Sequence, residues 1–329
     1  MAQKVLITHN LLNPEFESDA RTKAIDRLRE YAEVEFYDAP KLTAEHAEGV
    51  VGVLANSVVF TPEFYATARD LRIVARWGVG FDQVDVPRAT DHGVLVTVTP
   101  VHMVTVAEYA LAQWLATLKR VYTLNYNSHR GEFQTIKTYE AAGSTLGIWG
   151  LGRIGQEMAK RARPLLGDTG RLLVYDIRPD IAEVAAEYNA EVVSDPKDLF
   201  EQCDAISLHL SGDDTVVTYD HLCAMKPHAS LINPSRGNLV DDEAVNRAIK
   251  EEKLYYYVVD DPVNDTRAIH KDHPRIICTN HNAGISVESA IRLDECSAQQ
   301  IIDTIQGRTP EHVLNTDVLD HPRVQEFLK

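Results

Sequence analysis

The chain has 329 residues, with 33 basic against 49 acidic side chains, a formal charge of −16 and 44% hydrophobic content. That charge argues against a nucleic-acid or anionic-membrane partner, since either needs a broad cationic face. The length suggests two domains that each bury a core, and four cysteines without a C-x-x-C pair (Cys203, Cys223, Cys278, Cys296) suit a reducing compartment with no thiolate metal site.

The chain opens with MAQKVLITHN, which lacks the cationic start and long apolar core of a signal peptide. No run of about 18 apolar residues follows that could span a bilayer. A cytoplasmic protein is expected. Four short apolar runs, Lys4–Thr8, Val50–Ala55, Leu71–Ala75 and Val94–Val98, read as buried strands, and Asp19–Tyr31 carries apolar positions at helical spacing. Val104–Tyr122 reads as one long helix ending in Lys119 and Arg120, where cations favour a helix C-terminus. A second alternating block supplies strands at Thr145–Trp149, Arg171–Tyr175, Ala205–His209, Ser230–Ile232, Tyr255–Val259 and Ile276–Thr279. Ser289–Ile305 is a last long helix. Strands alternating with helices predict an α/β class with parallel sheets.

Within the second block, Gly150-Leu-Gly152-Arg153-Ile154-Gly155 lies between the strand TLGIW and a helix. In that setting the first glycine permits a tight turn. The second lets backbone approach a pyrophosphate, and the third lets helix and strand pack closely. The helix N-terminus, opened by Arg153 and Ile154, offers free N–H groups and a positive dipole end to phosphates. Asp176 ends the next strand, 21 residues after Gly155. An acid there accepts hydrogen bonds from an adenosine ribose and repels a 2′-phosphate, so NAD is favoured over NADP. Arg178, close by, leaves a cation for some NADP use.

Two further residues follow strand ends, where ligands of parallel sheets bind. Arg236 follows LIN and precedes Gly237; a guanidinium there can grip a carboxylate by two hydrogen bonds. His281 follows IICT, and a histidine titrating near neutrality suits proton exchange with an alcohol. Asp260 ends YYYVV and Asp265 lies in the loop beyond it. His270 and His273 form H-x-x-H with His281 downstream, but no acidic or thiolate ligand set accompanies them, and no metal is expected.

Taken together, Gly150-x-Gly152-x-x-Gly155, Ile232-Asn-Pro-Ser-Arg236-Gly237, Asn280-His281-Asn-Ala-Gly284, Gly78-Val-Gly80-Phe-Asp-Gln-Val-Asp85, Val106-Ala-Glu108 and Ser207-Leu-His-Leu210 resemble the D-2-hydroxyacid dehydrogenase family, phosphoglycerate dehydrogenase included. The likeness runs from about Val50 to the C-terminus. It implies two Rossmann-like doubly wound parallel-sheet domains with a cleft between them. Residues 1–100 with 289–329 would bind substrate, and 101–288 the dinucleotide. It implies that Arg236 binds the substrate carboxylate and keto oxygen, that His281 donates the proton in reduction, and that Asp265 takes the place of the glutamate that bonds the histidine. Cofactor contacts are implied at His209, Leu210, Thr215, Pro234, Asp260, His281 and Gly284, besides the glycine turn. Asn56 and the loop Gly78-Val79-Gly80 would meet the substrate, with Trp77, His102 and Met103 at the pocket mouth. Val121–Gln134 would be an arm pairing two subunits into a homodimer.

Three departures stand out. Asp265 is one methylene shorter than the family glutamate, Tyr255-Tyr256-Tyr257 replaces small residues, and Ser211 stands where proline is common. Val79 is not the lysine of phosphite-oxidising members, nor Asp265 the glutamine of formate-oxidising ones. The expected function is NAD-dependent hydride transfer between nicotinamide and a small D-2-hydroxyacid or 2-ketoacid. The alternative is an NAD(H)-sensing, corepressor-like binding protein of the same fold.

Overall fold

A computed structural model describes residues 3–8, 13–212 and 214–328. The chain divides into two compact units, residues 1–102 with 286–329 and residues 103–285. It therefore crosses between units at His102–Met103 and again at Ile285–Ser286, against expected breaks at 100 and 289.

The first unit holds β1 (Lys4–Thr8), α1 (Asp19–Arg29), β2 (Glu33–Tyr37), β3 (Lys41–Leu42), β4 (Val50–Ala55), β5 (Val59–Phe60), α2 (Pro62–Thr67), β6 (Ile73–Arg76), α3 (Val86–Asp91) and β7 (Leu95–Thr97). Its main sheet runs β2-β1-β4-β6-β7, every neighbour parallel, with β3 and β5 forming a separate pair. Helix α1 starts where the Ser18 hydroxyl accepts the Arg21 N–H at 3.1 Å, and it buries Ala24 and Leu28. The chain order reverses between β1 and β4. At their carboxyl ends the Thr8 hydroxyl donates to the Asn56 carbonyl (3.1 Å) and accepts from the Asn56 N–H (3.0 Å).

The second unit holds α4 (Met103–Leu118), α5 (Val121–His129), β8 (Thr145–Trp149), α6 (Arg153–Leu166), β9 (Arg171–Tyr175), α7 (Ile181–Ala186), β10 (Glu191–Val192), α8 (Pro196–Gln202), β11 (Ala205–Leu208), α9 (Tyr219–Ala224), β12 (Ser230–Asn233), α10 (Asp242–Lys250), β13 (Tyr256–Val259) and β14 (Ile276–Cys278). Its seven strands are parallel in the order β10-β9-β8-β11-β12-β13-β14. This is a doubly wound sheet whose order reverses between β8 and β11, the place where such sheets bind ligands. Side-chain alternation divides the core between its faces. Leu173, Ile206, Leu231 and Tyr257 pack on one side with α8 to α10; Ile148, Val174, Ile232 and Val258 pack on the other with α4 and α6. The chain then returns to the first unit with α11 (Val287–Ile305), capped by Ser286, and α12 (Pro322–Phe327).

The expected single helix over 104–122 is two. Arg120 adopts a left-handed conformation (φ 49°) that ends α4 and turns the chain into α5. Two of the three tyrosines hold this break. The Tyr255 ring lies under the Arg120 guanidinium at 4.1 Å. The Tyr256 hydroxyl bonds the Thr123 hydroxyl and accepts the Thr123 N–H at 3.1 Å. Tyr257 points to the other face, fully buried, where its hydroxyl accepts from Asn233 Nδ2 at 3.3 Å. The first two rings thus hold the kink, and the third fills the core beneath the Arg236 loop.

Candidate active site

The glycine turn after β8 is shaped by close backbone contacts. Gly150 has φ 96°, and a Cβ there would run into the His209 carbonyl. A Cβ on Gly155 would run into the Gly150 carbonyl oxygen, so helix α6 can meet the strand only with glycine at that position. Gly152 differs: nothing stands within 4 Å of its would-be Cβ, and as the N-cap of α6 it supplies no side chain to the first N–H groups. Those donors have no capping side chain, at the positive end of a 14-residue helix.

Asp176, at the end of β9, is fixed on this turn. One carboxylate oxygen accepts the Leu151 N–H at 2.5 Å and the other the Arg178 N–H at 3.0 Å. On the far side of the switch point, Ser235 Oγ donates to the Leu208 carbonyl (2.8 Å) and accepts the Leu210 N–H (3.1 Å), lashing β11 to the loop after β12. Asn233 Nδ2 donates to the Arg236 carbonyl at 2.8 Å. The Thr215 hydroxyl donates to the Asn238 carbonyl at 2.8 Å, beside the same loop.

His281 is exposed and has φ 56°, in the left-handed region. A non-glycine residue held there costs of order 1–3 kcal/mol. Asp260, only 4% exposed, carries that strain: its carboxylate accepts the Thr279 hydroxyl (2.6 Å), the Asn282 N–H (2.9 Å) and the Ala283 N–H (2.6 Å). Hydrogen bonds to a charged group contribute about 1.5–3 kcal/mol each, enough to outweigh the strain.

Asp265 and His281 are not hydrogen-bonded to each other. Asp265 is the exposed first residue of a 3₁₀ turn, Asp265–His270. The same turn contributes two buried side chains to another cluster. Arg267 bonds Asp261 (2.7 Å) and Asp242 (3.1 Å), with its guanidinium packed where a Gly237 Cβ would stand. His270 Nε2 meets Asp242 at 2.8 Å, with Nδ1 facing Asn246 Nδ2 at 2.8 Å. Asp261 also accepts the Gly237 N–H at 3.2 Å. His273 Nδ1 accepts the Arg275 N–H, so the two histidines of the H-x-x-H motif serve separate structural bonds.

In the first unit, Asn56 stands at the β1/β4 switch point, and Gly78 has φ 131° with open space about its would-be Cβ. Arg76 Nε donates to the Gly80 carbonyl at 2.7 Å and Nη1 to that of Ala55 at 2.5 Å, a brace between these loops. Trp77 is buried, its Nε1 donating to Asp294 at 2.7 Å beside Arg21. Its ring therefore belongs to the core of this unit rather than to a pocket mouth.

The pattern of the D-isomer specific 2-hydroxyacid dehydrogenase family's NAD binding domain matches residues 111–283. The glyoxylate reductase of Korarchaeum cryptofilum is 32% identical over 321 residues, covering 90% of this chain and 94% of that protein. The chain belongs to the D-isomer-specific 2-hydroxyacid dehydrogenase family. The D-3-phosphoglycerate dehydrogenase of Methanocaldococcus jannaschii is 31% identical over 308 residues, 89% of this chain, which spans 57% of that longer relative. A crystal structure of a glyoxylate reductase from Paecilomyes thermophila, 19% identical, superposes with a TM-score of 0.80 over 96% of this chain and 99% of that one, a likeness of fold.

Like its family, this D-2-hydroxyacid dehydrogenase is an NAD-dependent oxidoreductase, and its own residues fit NAD. The uncapped α6 N-terminus over the bare Gly152 suits a pyrophosphate. His209, next to Gly150, has a buried Nδ1 with no partner, while Nε2 meets Ser207 Oγ at 2.9 Å. Desolvation pulls its pKa down to about 3, so it is neutral and one ring nitrogen awaits a ligand bond. Ile177, 92% exposed between Asp176 and Arg178, offers an apolar face at the adenosine end. The sequence reading missed Ile177, Asn233, Ser235 and Arg76. Ile177 had a local signal, an apolar residue following the ribose acid, and Asn233 and Ser235 stand within the Ile232–Gly237 motif without a role assigned to them. Asp260, expected as a cofactor contact, also holds the His281 loop through its oxygens.

Proposed function

We propose that this dehydrogenase reduces a small 2-ketoacid of the glyoxylate class, and runs the reverse D-2-hydroxyacid oxidation. What carries the reading is one sheet presenting three loops at its strand carboxyl ends: the open glycine turn after β8, Arg236 after β12 and His281 after β14. The relatives named glyoxylate reductase and D-3-phosphoglycerate dehydrogenase support the substrate class.

Bound nicotinamide supplies or takes up the hydride at the substrate's C2. Arg236 grips the carboxylate and polarises the keto oxygen. The protonated imidazole of His281 gives its proton to that oxygen as negative charge grows there, and takes it back in oxidation. Asp265 is kept as the carboxylate partner of His281 on the family resemblance alone, and reaches it by movement of the 265–270 turn. Asn56 and the peptide N–H groups of Gly78, Val79 and Gly80 are kept as substrate contacts on the family resemblance. Residues 1–102 with 286–329 form the substrate-binding domain. The arm Val121–Gln134, which exposes Leu124, Tyr126 and Phe133, pairs two copies into a homodimer in the cytoplasm.

NADH oxidation at 340 nm with glyoxylate, hydroxypyruvate, pyruvate and larger 2-ketoacids tests this. Turnover of the small acids is expected, with Arg236→Ala raising KM and lowering kcat together. Cofactor binding without turnover of any acid would instead favour an NAD(H)-sensing protein.

A further inference from the structure

Asp180 occupies the N-cap position of α7, where an aspartate ordinarily accepts a backbone N–H of the first turn. Its carboxylate makes no such bond. It is turned instead to Arg178, whose Nε and Nη2 donate to its two oxygens at 2.6 and 2.8 Å, the bidentate geometry that holds a guanidinium most firmly. The third arm, Nη1, donates to the Leu151 carbonyl at 3.1 Å, which lays the guanidinium against the glycine turn beside Asp176. At this rim of the adenosine end the Asp176 and Asp180 carboxylates flank the Arg178 guanidinium, which is already paired.

We infer that Asp180 is a specificity-determining residue: by pairing with Arg178 it occupies a cation that would otherwise be available to a 2′-phosphate, and so enforces the NAD preference that Asp176 begins. Asp176 cannot perform both tasks. Its oxygens are tied to the N–H groups of Leu151 and Arg178, so it sets a negative charge at the ribose without restraining the guanidinium. A 2′-phosphate would bring further negative charge to a rim whose net charge is already negative. The pair agrees with the perturbation of both members, since the Asp180 hydrogen bond raises the Arg178 pKa and Arg178 lowers that of Asp180.

This rests on the dinucleotide lying along the glycine turn, and the experiment separates the two claims. Dissociation constants of NADH and NADPH are measured by calorimetry, which needs no turnover, for the unmodified protein, Asp180→Ala, Arg178→Ala and the double variant. Asp180→Ala should lower the NADPH-to-NADH ratio of dissociation constants by about tenfold, as one freed charge-assisted hydrogen bond to phosphate allows. The double variant should lose that gain. An unchanged ratio in Asp180→Ala, an equal gain in the double variant, or equal binding of both cofactors by the unmodified protein would each overturn the assignment. Absence of NADH binding to the unmodified protein would remove the site itself.

Discussion

The glycine turn and the His281 loop lie at carboxyl ends of the same sheet, and they are held by opposite means. The turn is fixed by what is missing: Gly150 and Gly155 leave no room for a Cβ, and Gly152 leaves room for a ligand. The His281 loop is fixed by what is added, a buried carboxylate whose three hydrogen bonds hold a left-handed residue in place. Steric exclusion is local and tolerates nothing. A bonded strain is a balance, and it can be tuned by altering one acceptor.

The largest effect should come from breaking the steric side. Gly155→Val sets side-chain carbon against the Gly150 carbonyl, and neither backbone can yield without parting α6 from β8. Overpacking of this kind costs about 1–3 kcal/mol and, where backbone must part, more. Thermal unfolding should show that loss, and calorimetry should show NADH affinity weakened more than about a hundredfold. Native affinity would mean that the close approach is not needed.

The bonded side should give a graded answer. Asp260→Asn keeps one acceptor oxygen but turns an amide donor toward backbone N–H groups. Loss of one or two charged hydrogen bonds, about 1.5–3 kcal/mol each, should lower kcat by about one to two decades while NADH affinity changes much less. An equal fall in both would show that Asp260 also contacts the cofactor directly, as the family resemblance implies.

Asp265→Asn sharpens the comparison further. If Asp265 reaches His281 during the reaction, removing its charge leaves the imidazolium less favoured, and the alkaline limb of kcat/KM for reduction moves to lower pH. The expected change in rate near neutrality is about three- to tenfold, as for one modest electrostatic contact. An unmoved limb between pH 5 and 9 would mean that the 265–270 turn stays where the structure has it.

The smallest effect concerns His209, beside the turn. Burial holds its folded pKa at about 3, against an ordinary 6.5 in the unfolded chain. Its contribution to stability is therefore complete above pH 6.5 and is lost as pH falls toward 3, because only the unfolded chain takes up the proton. The slope from one such group is at most about 1.4 kcal/mol per pH unit. Urea midpoints between pH 7 and 5 should fall less steeply in His209→Leu than in the unmodified protein; identical slopes would show that His209 is protonated in the fold.

These regions also differ in how far the sequence discloses them. The glycine turn is contiguous, each residue has a steric reason, and the strand and helix on either side have clear periodicity, so turn and fold class were both readable. β2 and β10 were not, because they are edge strands with alternating or exposed patterns, Glu33–Tyr37 and Glu191–Val192. The break at Arg120 was hidden because its cause lies far along the chain, in Tyr255 and Tyr256. In the site, Arg236 and His281 were named from strand ends. What fixes them was not readable: Asn233, through the Tyr257 hydroxyl, and Ser235, through the Leu208 carbonyl, lash strands that are neighbours only in the folded sheet, and Asp260 acts on residues some twenty positions away. The Asp265 departure was visible, whereas the diversion of its turn to seat Arg267 against Gly237 was not.

The central claim is that the second unit binds NADH at the glycine turn and that His281 supplies the proton to the ketoacid. It is tested most directly by measuring NADH dissociation constant and glyoxylate turnover side by side in His281→Ala. Binding should stay within about threefold of the unmodified protein, while kcat falls by roughly two to four decades, the range for a lost general acid. Turnover close to normal, with binding intact, would contradict the account, because the proton would then come from elsewhere.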